Sequence, residues 1–149
     1  MTTAHNRVAV LHGVNLDMLG RRPAEHYGDL NFDELQTRVR RFGRELDLEL
    51  RFFQTNDEGE FVEHLHRLPQ LSDGAILNPG AWTHYSYAIR DALEIASVPA
   101  VEVHLSDTEA REEWRRHSVL DGLVLAQISG KGVDGYREAL ELLNAELRR

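Results

Sequence analysis

The stretch Val98-Pro-Ala-Val-Glu-Val-His104-Leu-Ser106 reads as a buried strand that ends in a polar tip. Three other apolar runs end the same way: Val8–His12 leads into Gly13-Val-Asn15, Ala75-Ile-Leu77 into Asn78, and Leu50–Phe53 into Gln54. In an open parallel α/β sheet, ligands bind in the crevice outside the carboxyl ends of the strands. Asn15, Asn78 and His104 are therefore expected side by side despite their distance in sequence.

Outward from that stretch, strands and helices alternate. Arg7–His12 reads as the first strand, apolar enough to be covered on both faces. Gly13 to Asp29 follows as a long loop broken by Gly13, Gly20, Pro23 and Gly28. Loops of that length in a compact domain are usually functional, for instance as lids. Asn31 as N-cap and Glu34 at the capping-box position start a helix that runs through about Glu45. Next come a strand at Leu48–Gln54, a helix at Asp57–Leu68 and a strand at Asp73–Leu77. A helix over Thr83–Ile95 follows the Pro79-Gly80 turn, then the strand Val98–Leu105 and a short helix at Ala110–Arg116. A fifth strand at Leu123–Ile128 and a closing helix at Val133–Leu147 complete the chain. The pattern implies one three-layer α/β domain over residues 1–149 with a five-stranded parallel sheet. Right-handed crossovers favour the flavodoxin-like order 2-1-3-4-5, whose switch point lies between strands 1 and 3.

The composition, 42% hydrophobic and 28% charged, is that of an ordinary globular chain. No cysteine is present, which removes disulfides, thiolate nucleophiles and Cys-ligated zinc. The N-terminal residues lack the pattern of a signal peptide and no apolar run spans a bilayer, so a cytoplasmic location is expected. A net charge of -8 argues against a nucleic-acid surface. Lys131 is the single lysine and sits in a Gly-rich turn, which disfavours Schiff-base chemistry. Arg21 and Arg22, and Arg111, Arg115 and Arg116, form two basic clusters against this acidic background. Such clusters are more often solvated faces than binding sites.

Several residues suit acid–base chemistry. Tyr27 shares the first loop with Arg22; a neighbouring guanidinium stabilises a phenolate, and a mobile loop can close over a ligand. An anchoring structural tyrosine is an equally good reading. His104 is the clearest acid–base candidate because imidazole titrates near neutral pH. Glu102, two residues earlier on the strand, points to the same side and can orient the ring. Arg111 and Arg115, four apart, share a face if their segment is helical. Asn78 and His84 flank a turn into a helix, where backbone N–H groups can hold a carboxylate. Asp91, seven residues after His84, falls on roughly the same helical face. His64 and His66, two apart, are a poor metal pair and read as surface residues.

These segments resemble the type II 3-dehydroquinate dehydratases, also called type II dehydroquinases. The similarity is carried by Leu11-His-Gly-Val-Asn-Leu-Asp-Met-Leu-Gly-Arg-Arg22, Glu25-His-Tyr-Gly28 and Gln54-Thr-Asn-Asp-Glu-Gly59. It continues through Leu77-Asn-Pro-Gly-Ala-Trp-Thr-His84, Ala88-Ile-Arg-Asp-Ala-Leu93, Val101-Glu-Val-His-Leu-Ser106, Ala110–Ser118 and Gly132-Val-Asp-Gly-Tyr136. The resemblance implies trans-elimination of water from 3-dehydroquinate through an enolate, with no metal or organic cofactor. On matched positions, it implies that Tyr27 is the base and that Arg22 stabilises its phenolate and the transition state. Asn15 would hold the water that hydrogen-bonds the enolate oxygen, and His104, backed by Glu102, would protonate the leaving hydroxyl. Asn78 and the backbone of Leu105 and Ser106 would bind the carboxylate. His84 and Arg115 would take the ring hydroxyls, and Arg111 would support the lid. Asp91 would come from a neighbouring subunit, the family forming trimers grouped into dodecamers.

The chain also departs from the family pattern. His12-Gly-Val14-Asn15 stands where the family usually has Asn-Gly-Pro-Asn, and Pro23 replaces an acidic residue. Trp82, Tyr85 and Tyr87 are bulky around His84, and Asp121–Gln127 lacks the usual Ser-Pro, with Ala126 at a Gly position. Two alternatives stay open on sequence: a paralogue dehydrating a related cyclic hydroxy-ketone acid, and a non-catalytic binding module. The second is disfavoured because binding alone requires neither base nor acid. Flavin-binding and phosphoacceptor modules are weaker still, since the loop after the first strand is no phosphate cradle and no acidic cluster follows it.

Overall fold

The computed structural model describes residues 5–149. Its centre is a parallel sheet of five strands: β1 (Arg7–His12), β2 (Glu49–Gln54), β3 (Gly74–Asn78), β4 (Ala100–His104) and β5 (Gln127–Ser129). The strand order is β2-β1-β3-β4-β5, as the alternating pattern implies. In register, His12 stands opposite Asn78 on β3 and Gln54 on β2, so the polar ends of three strands lie side by side.

The helices are α1 (Ala24–Tyr27), α2 (Phe32–Glu45), α3 (Glu58–Leu71), α4 (Tyr87–Ala96) and α5 (Asp134–Leu147). Successive side chains of a strand face opposite ways, and the core divides accordingly. Val8, Val10, Ile76, Val101 and Val103 pack against α2 and α5 through Leu35, Val39 and Leu140. Ala9, Leu11, Ala75 and Leu77 pack against α3 and α4 through Phe61, Leu65 and Ile89. Each side chain of this size, fully buried, contributes roughly 1.5–3 kcal/mol. The connections from β1 and β3 leave on opposite faces, which opens the crevice between those strand ends.

Local signals explain most boundaries. Both halves of the capping box at α2 are made: Asn31 accepts from the Glu34 backbone N–H and the Glu34 carboxylate from that of Asn31. The second long helix runs to Leu71 rather than Leu68. Pro69 sits in its last turn, and the Ser72 N–H closes on the Leu68 carbonyl.

Three expectations are corrected. The helix expected from Thr83 is a 3₁₀ turn at Gly80–His84, and α4 starts only at Tyr87. Ser86 restarts the chain as an N-cap, its hydroxyl accepting from the Ile89 N–H. Asp91 therefore does not share a helical face with His84. The helix expected at Ala110–Arg116 is two short 3₁₀ turns, Thr108–Ala110 and Glu113–Arg116, separated by an extended Arg111. The fifth strand is confined to three residues rather than running from Leu123. Val119 and Leu120 instead bury themselves in the α3/α4 side of the core. Among the described residues, no helix is long and apolar enough to cross a membrane.

Candidate active site

The polar strand ends meet in one cleft. Asn15, Arg22, Tyr27, Asn78, His104 and Arg115 all line it, together with His84, Leu105 and Ser106. The structure thus brings together nearly every residue singled out from sequence. Arg111 reaches the cleft through Tyr27. Asp91 does not: it is exposed on α4, outside the cleft.

The first loop is shaped by its backbone. Asn15 takes a left-handed conformation (φ 69°), which asparagine tolerates better than most residues. Its N–H donates to Asn56 Oδ1 (2.8 Å), and Asn56 Nδ2 donates to Asp17 (3.2 Å). Gln54 Nε2 donates to the Gly13 carbonyl (3.2 Å), so the end of β2 pins the end of β1. No local pattern in the sequence marks Asn56 for this role.

Tyr27 ends α1, with two guanidinium groups on its hydroxyl. Arg22 Nη2 donates across 2.7 Å and Arg111 Nη1 across 2.5 Å. Arg22 also stacks over the phenol ring, its Cζ 3.9 Å from the centroid. Two cationic donors thus converge on one phenol oxygen. The second donor is an addition to the sequence reading, which gave Arg111 only a supporting part. Arg21 and Arg116 remain exposed, so the two basic clusters split between site and surface.

His104 sits at the tip of β4 with its Nε2 2.6 Å from Glu102 Oε2. Thr83 donates to the same carboxylate oxygen, and Ser118 Oγ donates to the other (2.7 Å). Glu102 is 1% exposed. Burial pushes its carboxyl upward, but His104, Thr83 and Ser118 together outweigh burial and hold it below the ordinary range. Glu102 thereby holds the His104 ring through Nε2 and leaves Nδ1 as that ring's free nitrogen. Thr83 and Ser118 were invisible as site residues in the sequence, because they act only through a carboxylate on another segment.

His84 lies 6.3 Å from His104, ring centre to ring centre. Its Nδ1 is 2.7 Å from the His117 carbonyl. A carbonyl only accepts, so Nδ1 carries the hydrogen and Nε2 is free to accept. Burial lowers the affinity of this ring for a second proton, helped by nearby His104 and Arg115. Arg115 is tied by its Nε to Glu112 (2.9 Å). The histidine read as a surface residue at His64 instead stacks on Phe53 beside the β2 edge, away from the cleft.

The family model described as Dehydroquinase class II matches residues 6–144. The chain belongs to the class II dehydroquinase family. Among the family's curated members, the 3-dehydroquinate dehydratase of Pelobacter propionicus is 50% identical, the match covering 93% of this chain and 97% of the relative. The crystal structure of type II dehydroquinase from Butyrivibrio crossotus superposes with a TM-score of 0.90 at 37% identity, covering 94% of this chain and 98% of that one. A 3-dehydroquinate dehydratase-like protein from Bifidobacterium longum superposes less closely, with a TM-score of 0.70 at 32% identity and coverage of 95% and 98%.

Within this class II dehydroquinase fold, the bulky residues around His84 do not crowd the cleft. Trp82 is buried edge-on against Phe61 in the core, and Tyr85 and Tyr87 point to solvent. Pro23 caps α1, and Val14 forms part of the cleft wall.

Proposed function

We propose that the chain is a 3-dehydroquinate dehydratase that works through two opposed groups, Tyr27 and His104. What carries the reading is that one cleft holds both, the tyrosine oxygen under two guanidinium groups and the histidine backed by a buried carboxylate. Tyr27 takes the C2 proton of the substrate, and the charge moves onto the ketone oxygen as an enolate. Asn15 holds the water that hydrogen-bonds that oxygen, a preorganised electrostatic contact. As the enolate collapses, the C1–O bond breaks and His104 supplies the proton that lets the hydroxyl leave as water. The C1=C2 double bond of 3-dehydroshikimate remains, and the proton taken by Tyr27 passes by way of solvent to His104, restoring both groups.

Asn78 and the Leu105–Ser106 backbone take the carboxylate, while His84 Nε2 and Arg115 take ring hydroxyls. A neutral His84 with a free Nε2 suits a hydroxyl donor. We place the enzyme in the cytoplasm, as trimers grouped into dodecamers in which Asp91 reaches a neighbour's cleft. Tyr87, Asp91 and Ile95 recur every four residues along α4, and Tyr87 and Ile95 are 63% and 69% exposed. That surface suits a subunit contact.

The test is ultraviolet absorbance of the conjugated enone when protein meets 3-dehydroquinate, with and without chelator. A chelator-insensitive rise, lost in Tyr27→Phe and His104→Ala, is expected. No rise from folded protein that still binds the substrate would overturn it. Light scattering, and mixing of Asp91→Ala with Tyr27→Phe subunits, tests the shared site.

A further inference from the structure

Behind Asn78 lies a buried chain of polar groups that the reaction itself does not use. Asn78 Nδ2 donates to the Tyr136 hydroxyl (3.0 Å), and that hydroxyl lies 2.9 Å from His12 Nε2. Tyr136 and His12 are both fully buried, on α5 and β1. The directions of these bonds follow from the donors. An amide nitrogen can only donate, so Tyr136 accepts from Asn78; turning its one hydrogen to His12 then pairs both ends of the hydroxyl, whereas accepting from His12 as well would leave that buried hydrogen without a partner. His12 Nε2 is therefore the acceptor and its ring hydrogen sits on Nδ1, which is buried without a partner. The ring is held edge-on against Phe32 (5.0 Å, 88°). Burial drives its protonation down to about 3, in keeping with a neutral ring.

The other side of Asn78 is fixed as well. Its Oδ1 accepts from the Gly80 N–H (3.3 Å). A flipped amide would set its nitrogen against that N–H, donor facing donor, and forfeit the bond. That penalty has no escape to water, because Asn78 is 3% exposed. A buried, unpaired N–H on His12 is a cost that a side chain serving only to fill space would not carry.

We propose that His12 and Tyr136 are positioning residues that lock the Asn78 amide so that its second N–H faces the cleft and binds the substrate carboxylate. The inference rests on the carboxylate role given to Asn78 above. The carboxylate is carried on C1, beside the C–O bond that breaks, but it keeps its charge throughout the reaction, so most of its binding is already made in the ground state and its loss appears chiefly in KM.

Tyr136→Phe and His12→Leu are expected to raise KM roughly tenfold, the scale of one hydrogen bond to a charged group, with kcat within about twofold. His12→Gln, whose side-chain oxygen can take the Tyr136 hydrogen, is expected to recover most of the loss. The double variant should cost little more than either single one, because both break one chain. Unchanged KM in folded Tyr136→Phe, with Asn78→Ala raising it, would overturn the lock and leave Asn78 in its role. Unchanged KM in Asn78→Ala would overturn the carboxylate role and the lock with it. Long-range proton–nitrogen spectra of the unsubstituted protein are expected to show His12 neutral with its hydrogen on Nδ1. A ring protonated on Nε2 would overturn the arrangement whether or not the variants fold.

Discussion

Glu102 and His104 meet across 2.6 Å two residues apart on β4, one sealed in the interior and the other at the lip of the cleft. The strand's period of two puts them on one face. The end of the strand puts only the second within reach of a ligand.

This pair shapes the acid limb of stability. The folded-state affinity of Glu102 for a proton is below the ordinary one, because its hydrogen bonds outweigh burial. The associated stability is fully present above the ordinary carboxylate range and is lost as pH falls through the folded value. Thermal stability should be flat above about pH 7, decline gently below about pH 6.5 because the buried His12 ring resists the proton that the unfolded chain takes up, and decline more steeply below about pH 4.5. Glu102→Gln should make that decline shallower. Asp73, which Arg7 holds low although burial pulls the other way, will keep part of it.

Tyr27→Phe should lower kcat by roughly a hundredfold or more, the scale of a lost general base, with product affinity nearly unchanged. Steady-state rates paired with calorimetric binding check it. A variant that retains most of its turnover removes Tyr27 as the base.

Arg22→Lys keeps a positive charge and loses the planar group that lies 3.9 Å over the Tyr27 ring. The two side chains are not equivalent at a stacked site. A fall in kcat/KM of roughly tenfold is expected, about 1.4 kcal/mol, with melting temperature unchanged. Equal activity would show that charge alone suffices.

Gly13→Ala should disrupt the cleft from its floor. An added Cβ would lie 2.7 Å from the Pro79 carbonyl carbon, backbone that cannot swing aside. The Gly13 N–H also donates to the Asn78 carbonyl (2.8 Å), joining the ends of β1 and β3. A loss of roughly 1–3 kcal/mol in denaturant unfolding is expected, together with a drop in activity. Wild-type stability would mean that the strand ends can part without strain.

Much of the architecture was legible because its signals are local. The Asn31–Glu34 box starts α2 in sequence and in structure, and the polar tips after Val8–His12, Ala75–Leu77 and Val98–Val103 all point to one crevice. The errors fall where local signals compete. Thr83 to Tyr85 carries helical residues, yet Ser86 offers a better cap one turn later. Leu123–Ile128 looks like a strand, yet an edge strand pairs on one side only, and here three residues suffice. Arg111 and Arg115 look like neighbours on a helix, yet an extended Arg111 is what lets it reach Tyr27.

The sequence by itself determined the alternation of elements, the sheet order they favour, and the family to which the ordered motifs belong. Each is written in periodicity, capping residues or motif order, which a chain carries along its length. Only the tertiary structure decided which side chains hold the reactive ones in place. Arg111 meets Tyr27 from 84 residues away, and Tyr136 meets Asn78 from 58 and His12 from 124. Such bonds depend on where separate segments come to rest on the sheet, and a side-chain hydrogen bond fails within about half an ångström of misplacement.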